Sequence, residues 1–192
     1  MQSLHYALVA YVRNPVGEFV EQLRRELHPD LPHLPAHLTI LPPRSLVSAD
    51  SSAPETNEST ALESLEALCR QAEPFEITLG EVETFVPATP TVFIRVAQAA
   101  HRMHELHDRL NVGMLSSEEE WPYIPHLTIV KMAAQEQAVR AFAVARQRWK
   151  EYDGHRCIAV EELTFVREAQ NSTWADLASV PLGRSLVSGR RR

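Results

Sequence analysis

The sequence predicts an α+β fold made of two lobes that face each other about a pseudo-twofold axis. Three observations carry this. The tetrapeptide His-Leu-Thr-Ile occurs twice, beginning at His37 and at His126, which are 126 − 37 = 89 positions apart. Each copy opens the same series of segments, strand, helix, strand, strand, and "LGEVETFV" (79–86) resembles "AVEELTFV" (159–166). An internal duplication is the economical account, with a period too long for a solenoid. Finally, 192 residues, 44% hydrophobic and 23% charged, suit one domain or two small lobes sharing a core. Residues 1–192 are read as one domain.

The elements follow in order. "LHYALVAYV" (4–12) is rich in β-branched and aromatic residues and predicts a strand. Asn14-Pro15 is a helix start, and Phe19, Val20, Leu23 and Leu27 then recur at helical spacing. "HPDLPHLP" (28–35) is a proline-broken loop, and "AHLTIL" (36–41) is a short strand stopped by Pro42-Pro43. Residues 45–60, rich in Ser, Thr, acids and Pro, predict a flexible loop. A helix follows with Leu62, Leu65, Leu68 and Cys69 on one face. Strands at 75–86 and 91–97 form a hairpin over "PATP". The helix 99–111 turns Met103, Leu106 and Leu110 inward and is closed by Gly113. A strand (126–132) precedes a helix from Ala133 to Trp149, with Val139, Phe142 and Ala143, joined by Trp149, inward. Strands at 156–168 and 173–182 turn at "AQNS", and the basic tail 186–192 is expected to be disordered.

The formal charge of −6 argues against a protein that grips long nucleic acid by neutralising phosphates. A nucleotide or an RNA end in a local pocket is compatible with it. No apolar run is long enough to span a bilayer, and the N-terminus reads as a strand, not a signal peptide. Cys69 and Cys157 lie far apart and form no CxxC, as expected of two buried thiols in a reducing cytoplasm. The expectation is a cytoplasmic, monomeric protein with no membrane partner.

Side chains alternate along a strand, so His37 and Thr39 share one face, with Leu38 and Ile40 on the other. His126 and Thr128 oppose Leu127 and Ile129 in the same way. The aliphatic residues are accounted for as core. The imidazoles and hydroxyls are not, because burying unpaired polar groups is unfavourable. Of nine histidines, only His37 and His126 have Ser or Thr two places on. Pseudo-twofold lobes would set these two rings across one cleft. A histidine near pKa 6.5 serves as base when neutral and as acid when protonated. Such a pair suits phosphodiester chemistry, with the Thr hydroxyls donating to non-bridging oxygens.

At these residues the sequence resembles the 2H phosphoesterase superfamily, which includes the bacterial 2′-5′ RNA ligase-like proteins and cyclic nucleotide phosphodiesterases. Its two His-x-Thr/Ser-x motifs match His37-Leu38-Thr39-Ile40 and His126-Leu127-Thr128-Ile129. The prolines after the first motif and "WPYIP" before the second also resemble it. The resemblance implies two antiparallel sheets with outer helices around a water-filled cleft. It implies hydrolysis of a 2′,3′-cyclic phosphate on a nucleotide or RNA end, commonly to a 2′-phosphate, and sometimes reversible 2′-5′ ligation. It also implies that no metal or cofactor is needed. His37 and His126 are then the catalytic pair, and Thr39 and Thr128 bind phosphate.

Further candidates for substrate contact are Arg44 and Lys131, which follow the motifs, and Trp121 and Tyr123, which precede the second. Each also has a plain reading, as a solvated cation or a core aromatic. "HRMHELH" (101–107) fails the zincin spacing and predicts a polar outer helix face. The alternative function is a non-catalytic module that binds a nucleotide or RNA end in the same pocket.

Overall fold

The computed structural model describes residues 4–29, 35–47, 54–169 and 173–183. The elements are β1 (Tyr6–Tyr11), α1 (Pro15–Leu27), β2 (His37–Arg44), α2 (Pro54–Cys69), β3 (Phe75–Thr84) and β4 (Thr91–Gln98). These are followed by α3 (Ala100–Leu110), a 3-10 turn (Gly113–Leu115), β5 (His126–Lys131) and α4 (Gln135–Glu151). The last three are β6 (Cys157–Val160), β7 (Glu162–Glu168) and β8 (Trp174–Pro181).

Local chemistry sets the first turn of the fold. The Asn14 side chain accepts from the Gly17 amide at 3.2 Å, with Pro15 beginning the helix. A Cβ on Gly17 would lie 1.9 Å from the Val12 carbonyl oxygen, so only glycine lets α1 fold back this closely on the end of β1.

All strand pairs are antiparallel, in the order β6-β3-β4-β5-β2-β1-β7-β8. The sheet pair implied by the family resemblance is therefore one sheet, fused where β2 meets β5. Two units match across that seam. β1–α1–β2 and β4–α3–β5 each leave a strand, cross a helix and return beside it. From β2 the chain then crosses through α2 to β3 beside β4, and from β5 it crosses through α4 to β6 beside β3 and from there to β7 beside β1. Each half of the sheet thus holds strands from both halves of the chain.

The segment 156–168, expected as one strand, is two. Glu161 alone separates β6 at one edge from β7 near the other. In a flat sheet the six inter-strand steps between them would span about 29 Å. Residues 160 and 162 can be no more than about 7.6 Å apart. The sheet therefore curls until its ends approach. The space enclosed by so tight a curve is too narrow for four helices each ~10 Å across. The helices lie outside and the helix-free face lies inside.

One core fills the space between the helices and the outer face. Leu38, Ile40, Leu127 and Ile129 meet Val20 and Leu23 of α1, Leu65 of α2, Met103 and Leu106 of α3 and Trp149 of α4. A small second cluster, Ala7, Val9 and Val166 with Tyr11 and Trp174, lies apart from it on the inner face.

Several boundaries differ from expectation for physical reasons. β2 runs through Pro42-Pro43 because its pairing with β5 is confined to Leu38, so the prolines' missing N–H groups break no ladder on that edge. The helix expected after residue 60 begins at Pro54, while residues 48–53 and the tail 186–192 lie outside the described residues. In α4 the buried stripe is Ala138, Ala141, Ala145 and Trp149, and Val139 is 53% exposed. Small alanines bring this helix close to the sheet, and their weak apolar signal is why larger residues were expected inward. Among the described residues no helix is long and apolar enough to cross a membrane.

Leu38 and Leu127 are fully buried and paired at the seam. Leu38→Ala is expected to cost about 3 kcal/mol of stability in urea unfolding. Combined with Leu127→Ala, the loss should fall short of the sum of the two singles, because the two side chains share one site.

Candidate active site

Both motifs carry the same irregularity. Along β1 and β2, Leu8 pairs with Leu41 and Val9 with Thr39, leaving Ile40 as an extra residue. Along β4 and β5, Val92 pairs with Val130 and Phe93 with Thr128, leaving Ile129 extra. Ile40-Leu41 and Ile129-Val130 are each buried in succession in the one core, and a bulge lets neighbouring residues turn towards the same face.

The register builds a grid on the inner face. Leu38 pairs with Leu127, so one step outward His37 stands across from Thr128 and Thr39 across from His126. On the outer sides, Tyr11 pairs with His37, Val9 with Thr39, Phe93 with Thr128 and Arg95 with His126. Two rows result, Tyr11–His37–Thr128–Phe93 and Val9–Thr39–His126–Arg95. The histidines are diagonal neighbours, about 7–8 Å apart along the backbone with their Cβ atoms somewhat closer. One phosphoryl group fits between two rings at that spacing.

Each imidazole is oriented by the backbone two residues before it. His37 Nδ1–H donates to the Pro35 carbonyl at 2.7 Å, and His126 Nδ1–H donates to the Ile124 carbonyl at 2.5 Å. A carbonyl only accepts, so the proton sits on Nδ1 and Nε2 is left for the cleft. Displacement of water by the surrounding protein holds the His37 ring down at about pKa 4, aided by the charge of Arg24. His126 is lowered as well, first by burial and then by Arg95, against its backbone hydrogen bond. The edges of Phe85 and Phe93 close around it, with ring centroids at 5.2 and 5.0 Å. With no anion present, both rings are neutral near pH 7.

Two imidazoles set diagonally across the seam, with two hydroxyls beside them, make an arrangement suited to phosphoester chemistry. The comparisons with known proteins agree. The family model described as the 2′-5′ RNA ligase superfamily matches residues 12–172. This chain belongs to that superfamily. It is 22% identical over 181 residues to a candidate phosphoesterase of Oceanobacillus iheyensis, covering 94% of this chain and 99% of that one. A second candidate phosphoesterase, from Bacillus cytotoxicus, is 25% identical over 148 residues, covering 77% and 83%. Among solved structures, E. coli LigT bound to NADP+ superposes with a TM-score of 0.64 at 17% identity, covering 95% of this chain and all of that one. TT0787 of Thermus thermophilus superposes at 0.61, also at 17% identity, covering 94% and 99%. The chain is thus a 2H phosphoesterase by family and LigT-like by fold.

Within this 2H phosphoesterase the other sequence candidates are dispersed. Arg44 turns away from solvent, with 2% of its side chain exposed. Its guanidinium donates to Glu119 at 2.6 Å, Asn111 at 2.7 Å, the Leu115 carbonyl at 2.9 Å and the Pro42 carbonyl at 2.9 Å. It anchors the loop before β5 to the end of β2. Tyr123 donates its hydroxyl to the Thr39 carbonyl at 2.7 Å and stacks on His107 at 4.2 Å. Trp121 is 62% exposed, and Lys131 is exposed at the end of β5. On α3, His101 and His104 face outward as expected. His107 instead is buried, with Asp108 at one ring nitrogen and Glu119 at the other. Among the described residues no group of three His, Cys, Asp or Glu is placed to hold a metal ion.

Sequence reading missed the flanks of the grid. Tyr11 donates to Asp176 at 2.6 Å, and the Arg13 guanidinium lies over its ring at 5.2 Å. Arg95 donates to Glu83 at 2.7 Å. A signal existed for Arg95, the one charge inside the apolar strand "TVFIRVA".

The buried Arg44 network sets an expectation for stability. Arg44→Met leaves Glu119, Asn111 and two carbonyls without their donor, and should lower unfolding free energy by about 3 kcal/mol in urea titration.

Proposed function

We propose that this protein is a phosphodiesterase that opens a 2′,3′-cyclic phosphate on a nucleotide or RNA end by metal-independent acid–base catalysis. One observation carries the reading. Two imidazoles stand diagonally across the β2–β5 seam, each with Nδ1–H committed to a carbonyl and Nε2 left open. In this reading one Nε2 takes a proton from water as the oxygen attacks phosphorus. The other Nε2, protonated, delivers its proton to the departing ribose oxygen. The hydroxyls of Thr39 and Thr128 donate to the non-bridging oxygens, where charge accumulates. That E. coli LigT has been crystallised with phosphate and with 3′-AMP supports a phosphate on a nucleotide as the ligand of this fold. With a ribose 5′-hydroxyl in place of water, the same ring-opening step would leave a 2′-5′ linkage, the 3′ oxygen departing with the acid's proton.

The protein around the rings displaces part of their hydration, which disfavours their charged form until an anion arrives. A bound phosphodiester supplies a negative charge that favours protonating one ring.

The deciding assay offers the protein a panel of cyclic nucleotides, RNA ends and 2′-5′ linked dinucleotides, with the product phosphate position read by phosphorus NMR. Turnover of a cyclic phosphate, unaffected by EDTA, is expected. His37→Ala and His126→Ala should each lower kcat by about 10²-fold or more with the fold intact by circular dichroism. Wild-type turnover in either variant refutes the two-histidine reaction.

The pH dependence follows from the same groups. The free enzyme is competent when one ring is protonated and the other neutral. His37 is lowered to about 4 and His126 also titrates below its ordinary value. kcat/KM should therefore trace a bell whose maximum lies on the acid side of about pH 6.5, the ordinary histidine value. It falls at higher pH as the acid loses its proton, and at lower pH as the base gains one. A maximum above about pH 7.5 contradicts this assignment.

A further inference from the structure

The seam between β2 and β5 is held at a single residue pair, Leu38 with Leu127. Carbonyls on either side of it are met by side chains instead. The Thr39 carbonyl accepts from the Tyr123 hydroxyl at 2.7 Å. The Thr128 carbonyl accepts from Arg24 Nη2 at 2.6 Å, and the Ile129 carbonyl from Arg24 Nε at 2.9 Å.

The two connections are crossed. Tyr123 adjoins Ile124, whose carbonyl orients His126, and it is tied to the threonine of the first motif. On the other side, Ala36 adjoins Pro35, whose carbonyl orients His37. The Ala36 amide donates to Glu21 Oε1 at 2.5 Å, the same oxygen accepts from Arg24 Nη1 at 2.9 Å, and Arg24 reaches the threonine carbonyl of the second motif. Each histidine's orienting carbonyl is therefore braced against the strand that bears the other histidine. Both braces are held firmly. Arg24 is 4% exposed, and the Tyr123 ring is stacked on His107.

We propose that Tyr123 and the Glu21–Arg24 pair are positioning residues, two crossed braces that set the orientation of His126 and His37 across the seam. The kinetic part of this rests on the phosphodiesterase reading above. The structural part does not.

The test uses two variants of the full chain. Tyr123→Phe removes one hydroxyl and keeps the stacked ring. Glu21→Ala removes the oxygen shared by Ala36 and Arg24 and leaves a good helix former. Long-range nitrogen–proton correlation spectra at about pH 7.5, where both rings are neutral, report the tautomer of each imidazole, with His37→Ala and His126→Ala used for assignment. In the unaltered protein both rings should carry the proton on Nδ1. Tyr123→Phe should move only the His126 signals towards a mixture of tautomers, and Glu21→Ala only those of His37. On whichever cyclic phosphate the protein turns over, kcat should fall about 10-fold or more in each variant, with KM changed less than about twofold. If both rings keep their original tautomer in both variants, the braces are refuted, whatever happens to kcat. If the unaltered protein turns over no cyclic phosphate, the enzymatic reading fails while the spectra still decide the braces. If Glu21→Ala does not fold, Tyr123→Phe decides alone: a shift of the His126 tautomer with His37 unmoved supports the braces, and no shift of His126 refutes them.

Discussion

The pairing of Leu38 with Leu127 is the constraint on which the rest depends. It joins the two halves of the sheet, and it fixes the face on which every neighbour falls. Because the pair is antiparallel and centred between His and Thr in both motifs, it sets each imidazole opposite the other motif's hydroxyl. A slip of one residue would turn both histidines into the core and both leucines into the cleft. The core therefore specifies the register, since leucine and isoleucine gain by burial against four helices. The position of the polar square follows from where the aliphatic residues must go.

A seam that continued as a regular ladder would bring the strands into full contact and spend their carbonyls on each other. Here the backbone groups beside the central pair are taken up by Arg24 and Tyr123, which reach in from α1 and from the loop before β5. The bulges at Ile40 and Ile129 act alongside them. A bulge raises the local twist and bends its strand. Placed symmetrically next to the seam, the two bulges contribute to the curl that brings β6 and β7 within one residue of each other. The cleft is thus a consequence of how backbone polar groups are satisfied, as much as of which side chains line it.

The motif strands were legible in the sequence because a doubled His-x-Thr on alternating strands leaves two imidazoles that core packing does not account for. The helices were legible wherever large apolar residues repeat, as in α1 and α3. The reading failed where structure is set by partners far along the chain. Ile40-Leu41 and Ile129-Val130 read as ordinary strand ends, because a bulge is visible only once the neighbouring strand is in place. The division at Glu161 depends on which edge each half of the segment joins, a property of the closed sheet. Arg44 and Tyr123 were picked out by residue type as ligands for a substrate. Their type suits equally the task they have here, satisfying buried carbonyls and carboxylates, and only the geometry separates the two. The alanine stripe of α4 went unseen because close helix packing is marked by small residues, which carry little hydrophobic signal.

The frame around the two motifs is nearly symmetric, and its flanks are not. Both imidazoles are oriented by the carbonyl two residues back, both motifs bulge at isoleucine, and both lie over the same core. Nothing in that frame distinguishes an acid from a base. The difference begins one strand further out. Beside His37 stands Tyr11, held by Asp176 and covered by Arg13. Beside His126 stands Arg95, held by Glu83, with two phenylalanine edges closing on the ring. One flank offers an aromatic face and a phenol hydrogen-bonded to a carboxylate, the other a half-exposed guanidinium. A nucleotide is asymmetric in the same sense, with a flat base at one end and further anionic groups at the other. In a reaction of the proposed kind, the two ends of such a molecule would meet different surroundings on the two sides of the seam. The two motifs are alike, and Tyr11 and Arg95 mark where their surroundings part.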